Sequence, residues 1–153
     1  MSIEELSKDR EFHNFHRAIE QESDPTMLTL RAHLYTENLL ERIILAKLSR
    51  GDKAVENGNF TYYQKLVLTE SLESLPDNIV SSLRGLNKLR NQCAHELEKK
   101  ISMGDIVKIG SPLGKIFSKM KREANFEENE VFRRLLHYVV GFLAGACFTS
   151  EHR

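Results

Sequence analysis

Helix starts and stops are spelled out along this chain, and no alternating strand pattern competes with them. Ser23-Asp24-Pro25 supplies a capping side chain followed by a proline at the first helical position, where a missing N–H costs nothing. Thr61-Tyr62-Tyr63-Gln64 has the spacing of a capping box, in which the threonine satisfies an early amide and the glutamine reaches back. Pro76-Asp77, Ser111-Pro112 and Asn125 with Glu127, Glu128 and Glu130 open three further helices, and Gly51-Asp52 closes one. This punctuation predicts an all-α fold, a single helical bundle of five to six helices with an up-down core.

The segments differ in character. Residues 1–22 form an outer helix, with Ile3, Leu6, Phe12, Phe15 and Ile19 as a thin apolar face. Residues 26–101 hold the core and motif helices. In the first of them Leu30, Leu34, Leu40, Ile44 and Leu48 recur on one broad side and are expected to face the core. The helix after Pro76 carries Leu83, Leu86, Leu89, Cys93 and Leu97 and should run to about Ile101. Ser102 to Gly110, with two glycines, reads as a loop that could pair in extended form. Residues 111–149 form the C-terminal helices, the last of them rich in apolar side chains, where Gly141 and Gly145 would let another helix backbone approach closely.

At 153 residues the chain is long enough for one core without disulfides or metals. Twenty-two basic and 22 acidic residues cancel, so no global field steers it to nucleic acid or membrane. The balance is local: residues 1–83 carry nine basic and fourteen acidic side chains, residues 84–122 ten and three, residues 123–153 three and five. The positive stretch follows the motif helix. Cys93 and Cys147 have no metal or disulfide spacing, Met1 to Arg10 lacks a signal-peptide core, and the apolar run Tyr138 to Phe148 is about half a bilayer span. A cytoplasmic protein without membrane contact, metal or cofactor is therefore expected.

The stretch Arg90-Asn91-Gln92-Cys93-Ala94-His95 concentrates the chemistry. At about 100 degrees per residue, Leu86, Cys93 and Leu97 define the core line, Arg90 roots about 40 degrees from it, and Asn87, Asn91 and His95 follow round a polar wedge. Arginine presents a fixed fork of donors to phosphate oxygens, histidine exchanges protons near neutral pH, and asparagine can orient either. That combination suits metal-independent attack of a ribose 2′-hydroxyl on the adjacent phosphate. It also suits a structural tie between loops or subunits.

The string Leu86-Asn87-Lys88-Leu89-Arg90-Asn91-Gln92-Cys93-Ala94-His95-Glu96 resembles the RN-x-x-AH signature of HEPN domains. The helix order from Thr26 to Ser102, with Arg31, Glu37 and Glu41 on the upstream helix, is similar to mannitol-operon-repressor-like members of that wider group. The resemblance implies a HEPN-like homodimer in which Arg90 and His95 of two chains line one cleft. Many such domains are ribonucleases acting as toxins or in phage defence, under a separate antitoxin or regulatory protein. Carried over, Arg90 would bind the scissile phosphate, His95 would act as general acid or base, and Asn91 would be the polar residue after the arginine. Asn87 and Glu37 would support them, Glu37 as an internal partner for Arg90, while Arg84, Lys88, Lys99 and Lys100 would contact RNA. Cys93 replaces an aromatic often found there, and Leu97 stands where nucleotide-silenced toxins carry a tyrosine.

Other features point elsewhere. His13 and His16 have metal-compatible spacing but no third ligand in sequence, His33 and His137 read as satisfied residues at the core edge, and Tyr62 and Tyr63 read as packing groups. Two functions follow as expectations: an RNA-acting HEPN-like domain that is a possible endoribonuclease, or a non-catalytic helical regulator or interaction module, with a role in transcription regulation, in which Arg90 and Asn91 are structural.

Overall fold

The computed structural model describes residues 10–152. Among them are eight α-helices and no strand: α1 (Arg10–Gln21), α2 (Pro25–Lys47), α3 (Gly51–Asn57), α4 (Tyr62–Ser71), α5 (Asp77–His95), α6 (Met103–Gly110), α7 (Lys115–Glu123) and α8 (Glu128–Glu151). One 3-10 turn, Ser111–Leu113, precedes α7. Ile3 and Leu6 lie outside the described residues.

The caps expected at Asp24 and Thr61 form, whereas the Pro76 and Ser111 starts carry no side-chain cap: Ser111 opens a 3-10 turn and α7 begins only after Gly114. Asp24 accepts from the Thr26 amide with Pro25 at the helix start, and Thr61 and Gln64 make both halves of the capping box. Glu127, rather than Asn125, caps α8, accepting from the amides of Asn129 and Glu130; Asn125 and Phe126 instead turn the chain with positive φ.

The count exceeds the expected five to six because two short helices lack an apolar stripe long enough to read. In α3 only Gly51 is buried, and a Cβ there would lie 2.5 Å from the Ile44 carbonyl oxygen, so glycine lets the chain turn back on α2. The second is α6, which corrects the loop expected over 102–110. Ser102 and Asp105 make a capping box, Ile106 and Ile109 are buried, and Ser82 Oγ on α5 donates to the Ile109 carbonyl at 2.8 Å. Cβ of a residue replacing Gly85 would meet Ile109 Cα at 3.2 Å, so the small residue seats α6 against α5.

The core is continuous, and α2 packed on α8 is its principal pair. Leu28, Ala32, Leu39, Leu40, Ile43 and Ile44 from α2 meet Val131, Phe132, Leu135, Val139, Val140 and Leu143 from α8. The expected α2 face needs correction: Leu40 and Ile44 are buried, but Leu30 is 37% exposed and Leu34 69%. Small and polar residues, Thr29, Ala32, His33 and Thr36, fill the buried side, so the leucine count alone mispointed the helix by placing Leu34 about 160 degrees from the true core direction.

By length and mean hydropathy α8 could cross a bilayer, a property the shorter run Tyr138 to Phe148 did not reveal. Half of its apolar window is buried against the bundle, an arrangement compatible with a soluble protein. A Cβ placed on Gly141 would meet the Phe12 ring at 4.0 Å, and Gly141 and Gly145 line a shallow groove with Phe142, Ala146 and Thr149.

Candidate functional site

Helix α5 packs against α2, α4 and α6. Its first three turns are core: Ile79, Val80, Leu83, Leu86 and Leu89 are at most 3% exposed. Arg90 continues that line one turn beyond Leu86, where the apolar layer stops, so its side chain is half-buried at the mouth of the core. The helix ends at His95, earlier than the expected Ile101, and Leu97 is fully exposed. The core line drawn through Leu97 is thereby corrected: past Glu96 the backbone is no longer helical and the 100-degree step ceases to apply.

The end of this line opens into a cavity of about 680 Å³ built by three helices. Helix α2 contributes Leu30, His33, Leu34 and Glu37, α4 and its cap contribute Thr61, Tyr62 and Tyr63, and α5 contributes Asn87, Arg90 and Asn91. Four of the residues singled out by sequence, Arg90, Asn91, Asn87 and Glu37, therefore share one concavity. His95 is not part of the lining; it is solvent-exposed at the C-terminal end of the helix.

The floor is a stack. The imidazole of His33 lies on the ring of Tyr62 with centroids 4.1 Å apart and planes 22° apart. Tyr62 is held from below by a 2.8 Å hydrogen bond with Thr36, and burial pushes its phenol above the ordinary value. His33 Nε2–H donates to Asn87 Oδ1 at 2.9 Å, which fixes the tautomer and turns the Asn87 amide nitrogen away. Burial lowers the pKa of His33 from its ordinary 6.5; the Asn87 bond opposes this, the Arg90 charge adds to it, and Glu37 opposes it. The ring is thus held neutral near pH 7.

Among the described residues the Arg90 guanidinium makes no hydrogen bond or ion pair. The Arg90–Glu37 pair expected from sequence is not formed, because Lys65 on α4 reaches Glu37 at 3.3 Å and Glu41 at 2.7 Å. Although burial works against it, the two carboxylates raise the lysine above its ordinary value. Glu37 is neutralised from behind, and the only charge the lining leaves uncompensated is that of Arg90.

The four side chains expected to contact RNA divide equally. Arg84 pairs with Glu70 at 2.7 Å and Lys99 with Asp105 at 3.3 Å, both tying neighbouring elements of the bundle. Lys88 and Lys100 are exposed. Of the other lysines of the positive stretch, Lys119 lies 3.7 Å from Glu123 and Lys121 rests over the Phe117 ring at 5.0 Å.

Two further histidines, His16 and His137, meet elsewhere. His16 Nε2 meets Glu20 at 2.9 Å and its Nδ1 faces Nδ1 of His137 at 3.2 Å; with Nε2–H of His16 donating to the carboxylate, His137 is the donor between the rings. No group of three metal-binding side chains occurs among the described residues, and His13 is exposed apart from this pair.

Sequence reading missed His33, Tyr63 and Leu34 as pocket residues. The sequence reads His33 as a core-edge group, which its Asn87 bond fits, and Tyr63 as packing, whereas Tyr63 is 53% exposed. One signal was available: Thr61 at a helix start fixes where Tyr62 and Tyr63 emerge, but not that α2 would lie opposite. Comparison with family models, with curated proteins and with solved structures returns no match.

Proposed function

We propose that this chain is an RNA-acting domain of HEPN-like type that binds a phosphodiester at Arg90 and cleaves it without metal. One observation carries the reading: an arginine rooted at the edge of the core, without a protein partner among the described residues, opens into a three-helix cavity beside Asn87 and Asn91. A half-buried guanidinium left unpaired among the described residues is costly, and an anionic ligand would compensate it. Phosphate fits its planar donor fork.

Catalysis in this reading needs a second copy, because His95 stands outside the pocket of its own chain. Met27, Leu34 and Leu45, all exposed, fall within about 20 degrees of one another on the outer side of α2 and offer the apolar contact for a homodimer. The partner's imidazole would then serve as general acid or base at the phosphate held by Arg90. A toxin or phage-defence role, under an antitoxin or other regulator, belongs to the same proposal.

The test is incubation of purified protein with RNA in excess EDTA. Fragments ending in 2′,3′-cyclic phosphate are expected, lost in Arg90→Ala and His95→Ala. Cleavage that survives His95→Ala unchanged removes the catalytic part of the proposal. The exposure of His95 away from the pocket favours a second reading, a non-catalytic regulator or interaction module. In that case neither variant alters RNA, and Arg90→Ala acts on stability or on partner binding alone.

A further inference from the structure

We propose that the Arg90 pocket receives one unpaired nucleoside together with its phosphate, so that the ligand is single-stranded RNA with a base seated against Tyr63. This rests on the reading of Arg90 as the phosphate ligand and adds what else the cavity holds. The volume, about 680 Å³, is in the ~300–1,000 Å³ range of clefts that enclose small organic ligands, far more than one phosphate group occupies. Its charge is matched to a single phosphate: Arg90 is the one uncompensated cation of the lining, and Glu37 is held by Lys65.

The rest of the lining is suited to a flat, neutral, hydrogen-bonding ring. Tyr63 stands half-exposed on the rim, and a solvent-facing phenol ring there is a stacking platform rather than a core group. The floor is the neutral imidazole of His33 on the ring of Tyr62. Because Asn87 Oδ1 is occupied by His33, its NH2 group is left as a donor, and Asn91 is exposed with both amide atoms open. Paired donors and acceptors beside an aromatic face can read the edge of a base only when that base is splayed out of a helix; in duplex RNA both its face and its pairing edge are taken.

Binding of a short labelled 2′-O-methyl strand, which cannot be cleaved by 2′-hydroxyl attack, tests this by fluorescence anisotropy. The single strand should bind at least about tenfold more tightly than a hairpin duplex of the same sequence. Tyr63→Ala should weaken it roughly 5- to 150-fold, the range of one base–aromatic stack, while Tyr63→Phe retains affinity. The log–log salt slope should be near −0.7, the value for about one phosphate contact.

Equal affinity for duplex, a slope several times steeper, or an inert Tyr63→Ala overturns the nucleoside inference; if Arg90→Ala still abolishes binding in that case, the phosphate reading stands alone. An inert Arg90→Ala, or no binding by the unaltered protein, overturns both. Should Tyr63→Ala shift the sedimentation mass and leave RNA affinity unchanged, the rim serves a second copy of the chain and the inference also falls. Tyr63 is exposed, so an unchanged melting temperature confirms that the variant folds.

Discussion

His33, buried, and His137, half-buried, are two imidazoles set against aromatic rings, and their surroundings diverge one bond further out. His137 stands edge-on to Phe15 at 6.4 Å and donates to His16, which in turn donates to Glu20, so its polar contacts close within α1 and α8. His33 lies on Tyr62 and donates to Asn87, but beyond them the structure opens onto Arg90, whose charge nothing in the lining neutralises. The same pairing of imidazole and aromatic ring thus produces a closed structural tie in one place and an open site in the other. What separates them is whether the chain supplies the last partner.

The largest effect should come from removing the aromatic ring set against each imidazole. Tyr62→Ala and Phe15→Ala should each destabilise by about 3–5 kcal/mol, the usual range for emptying a buried aromatic position. In a chain of this size that lowers the melting temperature by about 10 °C in a thermal scan. Only Tyr62→Ala should also lower RNA affinity, measured at a temperature where both variants are folded; an equal loss from Phe15→Ala would erase the contrast between the two regions.

Next is acid sensitivity, which the two imidazoles should share. Burial lowers the pKa of both below 6.5; Arg90 adds to the shift of His33 and His16 to that of His137, against Glu20 and Glu130. The unfolded chain therefore binds more protons than the folded one between the folded value and 6.5, and stability falls as pH is lowered through that window. Melting temperature should drop from pH 7.5 to pH 5.5. Replacing both His33 and His137 by Gln should flatten this dependence; an undiminished slope would assign it to other groups.

Smaller still is the stability effect of Arg90→Ala, within about 0.5 kcal/mol, because no protein partner is lost. The same variant should abolish EDTA-resistant cleavage. A fall of several degrees in melting temperature with no change toward RNA would instead mark Arg90 as a structural residue. Arg84→Ala should cost about 0–1 kcal/mol, since its Glu70 pair is more than a third exposed on both sides, and it should leave RNA affinity unchanged. Leu97→Ser should be silent in both measurements, as its side chain is wholly in solvent.

Much of the fold was readable because helix ends depend on local chemistry. Asp24, Thr61 and Gln64 satisfy amides two or three residues away, so no distant part of the chain has to be known. Orientation was harder. In α2 the leucines at 30 and 34 look outward while Thr36 and His33 go in, because Thr36 can bond its own helix carbonyls and Tyr62, and His33 can bond Asn87. Hydropathy ranks those residues as polar; hydrogen bonds made inside the bundle let them be buried. The same limit hid α6, eight residues long, whose apolar Ile106 and Ile109 gain meaning only against α5.

By itself, then, the order of residues determined the all-helical composition, the caps, and the presence of Arg90, Asn91 and Asn87 on one helix, all consequences of contacts within a few residues. Tertiary structure alone decided that Lys65 would take Glu37 from Arg90, that His33 and Tyr63 would join the cavity, and that His95 would stand outside it. Those outcomes turn on which helices lie side by side, because an ion pair or a pocket wall forms between side chains that meet in space, whatever their separation along the chain.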